Sequence, residues 1–199
     1  MCLREFRRIG PARYITNRRA TKQTKESHMA PDRLLLSTPR FDVIERTYRV
    51  GEREHSRAII EHPGAVCILP LLEGNRVCLI RNHRAAVNQV LVELPAGTLE
   101  PGESAEVTAQ RELREETGYR AGQMTKLHEF WMSPGILKER MHLYLATELS
   151  PGEQALDVGE RIEPIVATLD DAMTMTRDGR IQDAKTLVAL LYYATFGKS

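Results

Sequence analysis

The chain has few cysteines, no long apolar run and no surplus of charge, and each shortage removes a class of protein. Of its 199 residues only Cys2, Cys67 and Cys78 are cysteines. The number is odd and no C-x-x-C pair occurs, so neither a disulfide scaffold nor a structural zinc site fits. A reducing compartment, the cytoplasm, is the expected location. Apolar runs such as Leu187–Leu191 fall far short of the roughly 20 residues that cross a bilayer as a helix. No secretory h-region opens the sequence, and export is not expected. Lys and Arg number 28 against 27 Asp and Glu, a net +1. No global field therefore draws the chain to nucleic acid or acidic lipid.

What is present is an ordinary globular mixture, 42% hydrophobic and 28% charged, long enough for one domain with a normal core. The charge is unevenly spread. Residues 1–30 hold eight basic residues (Arg4 to Lys25) and two acids, Glu5 and Glu26, a net +6. The remaining residues hold 20 basic and 25 acidic side chains, a net −5. The first segment has no sustained apolar period and reads as a disordered basic leader. It is open as a transit peptide, a polyanion-touching arm or a bland extension ahead of Met29.

Beyond the leader, Phe41–Val50 and His55–His62 read as a hairpin turned by Gly51-Glu52. Ala65–Leu72 is nearly all apolar, as a strand buried on both faces would be; Pro70 marks an end or bulge in its pairing. Strands are also expected at Arg76–Arg81, Leu91–Leu94, Lys126–Met132, Met141–Leu149 and Ile162–Thr168. Ser104–Thr117 reads as a helix, because Ala105, Ala109 and Leu113 recur four apart, Ser104 can cap it and Gly118 follows its end. Asp170–Thr176 and Asp183–Phe196 are further helices. Strands and helices alternate irregularly, so the class is mixed α and β, a sheet with helices packed on it. The divisions expected are a leader over 1–38, an N-terminal β extension over 39–62 and a main domain over 63–199.

Chemistry concentrates in residues 97–119, GTLEPGESAEVTAQRELREETGY. Glu115 and Glu116 lie three and four residues past Glu112, so three carboxylates share one helix face. Like charges at that spacing repel and need a partner. Arg111 is one; a hard divalent cation, Mg²⁺ or Mn²⁺, is a stronger one. Mg²⁺ sites commonly combine a few carboxylates with substrate phosphates, which points to a phosphorylated substrate. Glu103 is placed to add a further acid or to hold Arg111. An acidic helix face by itself is usually just solvated surface. Here, however, Gly97, Glu103, Arg111, Glu112, Glu115, Glu116 and Gly118 are seven fixed letters of the pattern G-x5-E-x7-R-E-U-x-E-E-x-G-U, with U apolar. Chance would supply that match in less than roughly one sequence in a million.

That pattern is the Nudix box, and the chain resembles the Nudix hydrolases, which cleave nucleoside diphosphates linked to another moiety. The resemblance implies an α/β/α sandwich around a mixed sheet and a divalent metal held by Glu112, Glu116 and the Ala96 carbonyl, with Glu115 as a further ligand or catalytic acid. Gly97 would let backbone approach the metal, Arg111 and Glu103 would hold the acids in register, and Gly118 would close the motif. Within the family the closest likeness is to ADP-ribose pyrophosphatases, through Glu93–Gly97, Pro134 fifteen residues past Tyr119, and the run from Pro134 to Ala146. The expected reaction is then Mg²⁺-dependent cleavage of ADP-ribose to AMP and ribose 5-phosphate, with GDP-mannose or ADP-glucose as alternative nucleotide sugars. A nucleotide-binding regulator without catalysis is disfavoured because every box acid is present.

For the general base the resemblance offers Glu160 first and Glu139 as competitor, Glu139 also matching a ribose-contacting position. Arg84 resembles a phosphate-binding arginine, and Arg57 one that reaches a neighbouring subunit's site in a homodimer built through the N-terminal hairpin. Trp131, His62, His83, His142, Cys67 and Cys78 read as core or ordinary surface residues.

Overall fold

The computed structural model describes residues 31–197; the basic leader expected over residues 1–30 lies outside them. The described chain runs through β1 (Arg33–Ser37), β2 (Asp42–Val50), β3 (Arg53–Glu61), β4 (Ala65–Leu72), β5 (Arg76–Arg84), β6 (Gln89–Glu93) and β7 (Ala96–Thr98). It continues with α1 (Ala105–Thr117), β8 (Arg120–Ser133), β9 (Leu137–Ser150), β10 (Ile162–Thr168), α2 (Leu169–Arg177) and α3 (Ala184–Phe196).

The N-terminal extension is larger than a hairpin. Strands β2 and β3 pair from Asp42↔Glu61 to Val50↔Arg53, and Gly51 at φ 62° supplies the left-handed residue their tight turn needs. Strand β1 adds to the outer edge of β2, from Arg33↔Glu45 to Ser37↔Asp42. This places a strand inside the segment, residues 1–38, expected to be leader. Sequence pattern missed it because all five residues of RLLLS are exposed and nothing alternates.

The main sheet grows on β4. One edge pairs in parallel with β9 from Ala65↔Met141 to Pro70↔Ala146. Pairing then passes to the antiparallel neighbour β5 at Leu71 and Leu72, so Pro70 sits where the partner changes, as its missing donor favours. β4 alternates between two cores. Ala65, Cys67 and Leu69 face the α2–α3 side with Leu143, Leu169, Ala189 and Leu190. Val66 and Ile68 face α1 with Ala109, Leu113 and Tyr144. Two apolar faces explain why β4 carries no polar residue. The result is a mixed sheet between helices, the expected sandwich.

Two elements differ from expectation in ways that matter below. β8 and β9 are each 14 residues long and extend well past their apolar centres. β7 was not foreseen as a strand: Ala96 pairs with Cys67, Gly97 with Val66 and Thr98 with Ala65. That pairing fixes the first residues of the box beside β4 and beneath α1.

Candidate active site

Helix α1 begins where Ser104 accepts from the Val107 N–H at 3.3 Å and ends where Gly118 turns left-handed at φ 77°. Ala109 and Leu113 are fully buried against the sheet, which orients the acids along one flank. Glu116 is only 3% exposed, and its Oε2 accepts from the Ala96 N–H at 2.8 Å. One turn earlier, the Glu112 carboxylate lies so close to Gly97 that a β-carbon there would overlap it. The box thus closes on itself, with α1 seated on β7 through these two contacts.

Glu115 sits on the outer side, accepting from Arg111 Nη1 at 3.0 Å and Arg114 Nη2 at 2.8 Å. Arg111 also donates to Glu112 Oε1 at 2.8 Å and to Glu103 at 3.3 Å. One guanidinium therefore joins Glu103, Glu112 and Glu115, while Glu116 lies beyond its hydrogen bonds. Arg111 holds Glu103 below the usual carboxylate range. Burial raises Glu112, opposed by Arg111 and reinforced by Glu115 and Glu160. Burial pushes Glu116 up to about 8; the Ala96 N–H opposes this, and Glu112 and Glu160 add to it.

Among the described residues no three His, Cys, Asp or Glu side chains stand in one metal-sized group. The acids are turned onto Arg111, Arg114 and the Ala96 N–H. Their chemistry nonetheless fits a hard divalent cation: the charge of Glu160 opposes the ionisation of both Glu112 and Glu116, Glu112 also opposes that of Glu116, and the missing side chain at Gly97 leaves the room Glu112 occupies. Carboxylate oxygen is the donor such cations take.

Glu160 lies in the loop after β9. That loop is tied to the end of α1, where Gln154 Nε2 donates to the Glu116 carbonyl at 2.6 Å and the Ala155 N–H to the Glu115 carbonyl at 3.1 Å. Its carboxylate is exposed and accepts from the Asp157 N–H at 3.0 Å. Glu139 lines a cleft of about 230 Å³ together with Arg84, Ala96, Gly97, Met132 and Lys185. It faces His62 Nδ1 at 3.7 Å, but that nitrogen already accepts from the Gly64 N–H. Arg57 is exposed on β3 with its guanidinium 5.9 Å from the Tyr48 ring centre and does not line the cleft.

Arg84 belongs to a buried network. Its Nε and Nη2 donate to Glu93 at 2.8 and 2.6 Å, and Glu93 is fully buried. Lys185 Nζ donates to Glu93 at 2.5 Å and to Asp183 at 2.8 Å. Asp183 caps α3 through the Thr186 N–H, and Thr186 Oγ1 accepts from the Leu94 N–H at 2.8 Å.

A NUDIX domain model matches residues 61–190. The chain belongs to the Nudix family. An ADP-ribose pyrophosphatase of Bacillus subtilis (strain 168) is 42% identical over 138 residues, 68% of this chain and 75% of that one. A methanol dehydrogenase activator of Bacillus methanolicus is 44% identical over the same shares. A GDP-mannose pyrophosphatase of Klebsiella pneumoniae is 31% identical across 85% of this chain and 92% of its own. A solved structure described as an ADP compounds hydrolase superposes with a TM-score of 0.74, over 84% of this chain and 92% of that chain. At 23% identity this last likeness is one of fold.

Within this Nudix hydrolase the structure brings Glu112, Glu116, Ala96 and Gly97 into contact, gathers Glu103, Glu115 and Glu112 around Arg111, and sets Arg84 and Glu139 in one cleft. Sequence reasoning missed Glu93, Asp183, Lys185 and Thr186 as a group. A signal existed in Asp183-Ala184-Lys185-Thr186, an N-cap followed by a charged residue at the start of an otherwise apolar helix.

Proposed function

We propose that the chain hydrolyses ADP-ribose to AMP and ribose 5-phosphate with Mg²⁺, Mn²⁺ serving as a substitute. The observation that carries this is the seating of Glu112 and Glu116 on Ala96–Gly97, beside a cleft that holds Arg84. Glu112, Glu116 and the Ala96 carbonyl would hold the cation, and Glu115, anchored by Arg111 and Arg114, would complete the acidic flank. When bound, the cation neutralises phosphate charge and eases loss of a proton from water. Arg84 presents positive charge to the diphosphate and orients it. Glu160, whose charge bears on both Glu112 and Glu116, accepts the proton of the attacking water; Glu139 on the cleft wall positions the terminal ribose. Water oxygen bonds to phosphorus, the bridging P–O bond breaks, and AMP and ribose 5-phosphate leave.

The names of the curated relatives support two substrates. ADP-ribose is favoured by the higher identity of the Bacillus subtilis protein, and GDP-mannose by the Klebsiella one. A purely regulatory nucleotide binder is disfavoured by the intact acid set. Incubation with Mg²⁺ and ADP-ribose is expected to release AMP in chromatographic assay. Much faster turnover of GDP-mannose would overturn the substrate and keep the chemistry; no turnover of any nucleotide sugar would overturn both.

A homodimer is part of this reading. Leu34, Leu35 and Leu36 on edge strand β1 are 58%, 44% and 53% exposed, an apolar edge that a second copy would cover. Arg57 on β3, which lies beyond β2 in the same sheet, would then stand near the partner's cleft. Light scattering checks this: a monomer at micromolar concentration rejects it. Among the described residues no helix is long and apolar enough to cross a membrane, and the free thiols of Cys67 and Cys78 suit the reducing cytoplasm proposed as its location.

A further inference from the structure

Lys185 is out of place by ordinary rules. Lysine is seldom fully buried unless paired, yet this residue is 7% exposed at the start of a helix whose inner face is apolar. Its ammonium reaches two carboxylates, Glu93 and Asp183. Burial lowers its proton affinity, but the two acids outweigh burial and the net shift is upward, so the lysine is charged at neutral pH.

The position of Arg84 depends on the same acid. In the β5–β6 ladder the residue opposite Glu93 is Ile80, not Arg84. Arg84 therefore reaches four residues back along β5 to place Nε and Nη2 on Glu93. Glu93 is the anchor of the guanidinium, and Lys185 is bound to the anchor. The four charges of Arg84, Lys185, Glu93 and Asp183 cancel as a set. Without Lys185, two carboxylates would compete for one arginine. The guanidinium would be neutralised by buried acids and drawn inward, away from the open part of the cleft that it lines with Ala96 and Gly97.

We infer that Lys185 is a positioning residue for substrate phosphates, acting through Glu93 on Arg84. It satisfies Asp183 and half of Glu93, and so leaves Arg84 singly engaged with one edge turned to the cleft. The effect on substrate rests on the proposed diphosphate chemistry. The effect on Arg84 does not.

The test is a double-mutant cycle of Lys185→Met and Arg84→Met, read by calorimetric binding of α,β-methylene ADP-ribose at fixed Mg²⁺. Lys185→Met is expected to weaken binding about tenfold and to raise KM more than it lowers kcat. In the Arg84→Met background the same change is expected to add less than about twofold. Lys185→Arg, which keeps the charge, should restore most of the affinity. Lys185→Gln, which keeps a donor for both acids, replaces the Met variant should that fail to fold. Additive losses, or wild-type affinity in Lys185→Met, overturn the inference. A crystal structure of the variant decides it without reference to activity: an Arg84 guanidinium drawn inward from the cleft toward Glu93 and Asp183 supports it, and an unmoved guanidinium overturns it. A wild-type protein that neither binds the analogue nor turns over ADP-ribose would sink the substrate reading alone.

Discussion

Gly97 and the carboxylate of Glu112 are in such close contact that no side chain larger than hydrogen fits at residue 97. The reason is sterics, not backbone conformation: Gly97 is not among the glycines at positive φ, and alanine would suit β7. Gly97→Ala is therefore expected to fold, with melting lowered by the equivalent of about 1–3 kcal/mol of overpacking. Glu112 must swing aside. Displacing by about 1 Å a carboxylate that is proposed to hold the cation is expected to cost on the order of 10²-fold in rate. Steady-state assays with Mg²⁺ and Mn²⁺ titration by electron spin resonance check both halves. Normal turnover in this variant would remove Glu112 from the cation's surroundings.

A second prediction concerns the middle of the long β8–β9 ribbon. Lys126 donates to Glu129 at 2.7 Å and Arg140 donates to the same carboxylate. Together they hold Glu129 well below the carboxylate range, down to about 2. A folded-state value below the unfolded one contributes stability that is present above the unfolded carboxylate's roughly 4.3 and lost as pH falls toward 2. The melting difference between wild type and Glu129→Gln should hold steady from pH 7 to about 5, then close by about pH 2. Because the site is half open to solvent, 1 M salt should shrink it at every pH. A difference independent of pH would place the effect in packing instead.

The helix that carries the acids was legible because its instructions are local. Ser104, Glu106 and Gly118 are cap signals a few residues from the turns they govern, and the box acids are neighbours in sequence. Spacing put Glu115 and Glu116 on one face with Glu112, but it could not say that Glu116 would be buried against Ala96 while Glu115 met two arginines. That outcome depends on β7, a three-residue strand with too little pattern to announce itself. The Arg84–Glu93–Asp183–Lys185 network was illegible for a different reason. Its partners lie up to 92 positions apart, and a lone lysine in a helix looks like solvated charge until the fold buries it. β1 escaped because an exposed edge strand has no inward face to create alternation.

The two thiols on the central strands should be inert. Cys67 and Cys78 have no exposed surface; burial pushes Cys78 up to about 12 and Cys67 further still. Thiolate is the reactive form, so neither should be modified at neutral pH. In a Cys2→Ser variant, Ellman's reagent is expected to find no thiol in the native protein and two after unfolding in guanidinium. One rapid thiol without denaturant would reveal local opening of β4 or β5.

The choice of general base can be decided by paired substitutions, because Glu160 and Glu139 stand in different surroundings. Glu160 acts electrostatically on Glu112 and Glu116, the residues proposed to hold the cation, and its loop is bonded to the end of α1. Glu139 lies on the cleft wall among Ala65, Met132 and Met141, beside a histidine nitrogen that already accepts from Gly64. A base must reach the attacking water, and a cation held by the acids of α1 would ease loss of that water's proton, which favours an acid whose charge bears on them. Glu160→Gln is therefore expected to lower kcat by about 10²–10⁴-fold with KM nearly unchanged. Glu139→Gln should raise KM by about tenfold with a smaller loss in kcat, as expected where one hydrogen bond to the ribose is weakened. The loss in Glu160→Gln should be partly recovered at high pH, where hydroxide replaces a deprotonated water. The reverse split, with kcat falling in Glu139→Gln alone, would transfer the base to Glu139 and leave Glu160 as an electrostatic neighbour of the acids.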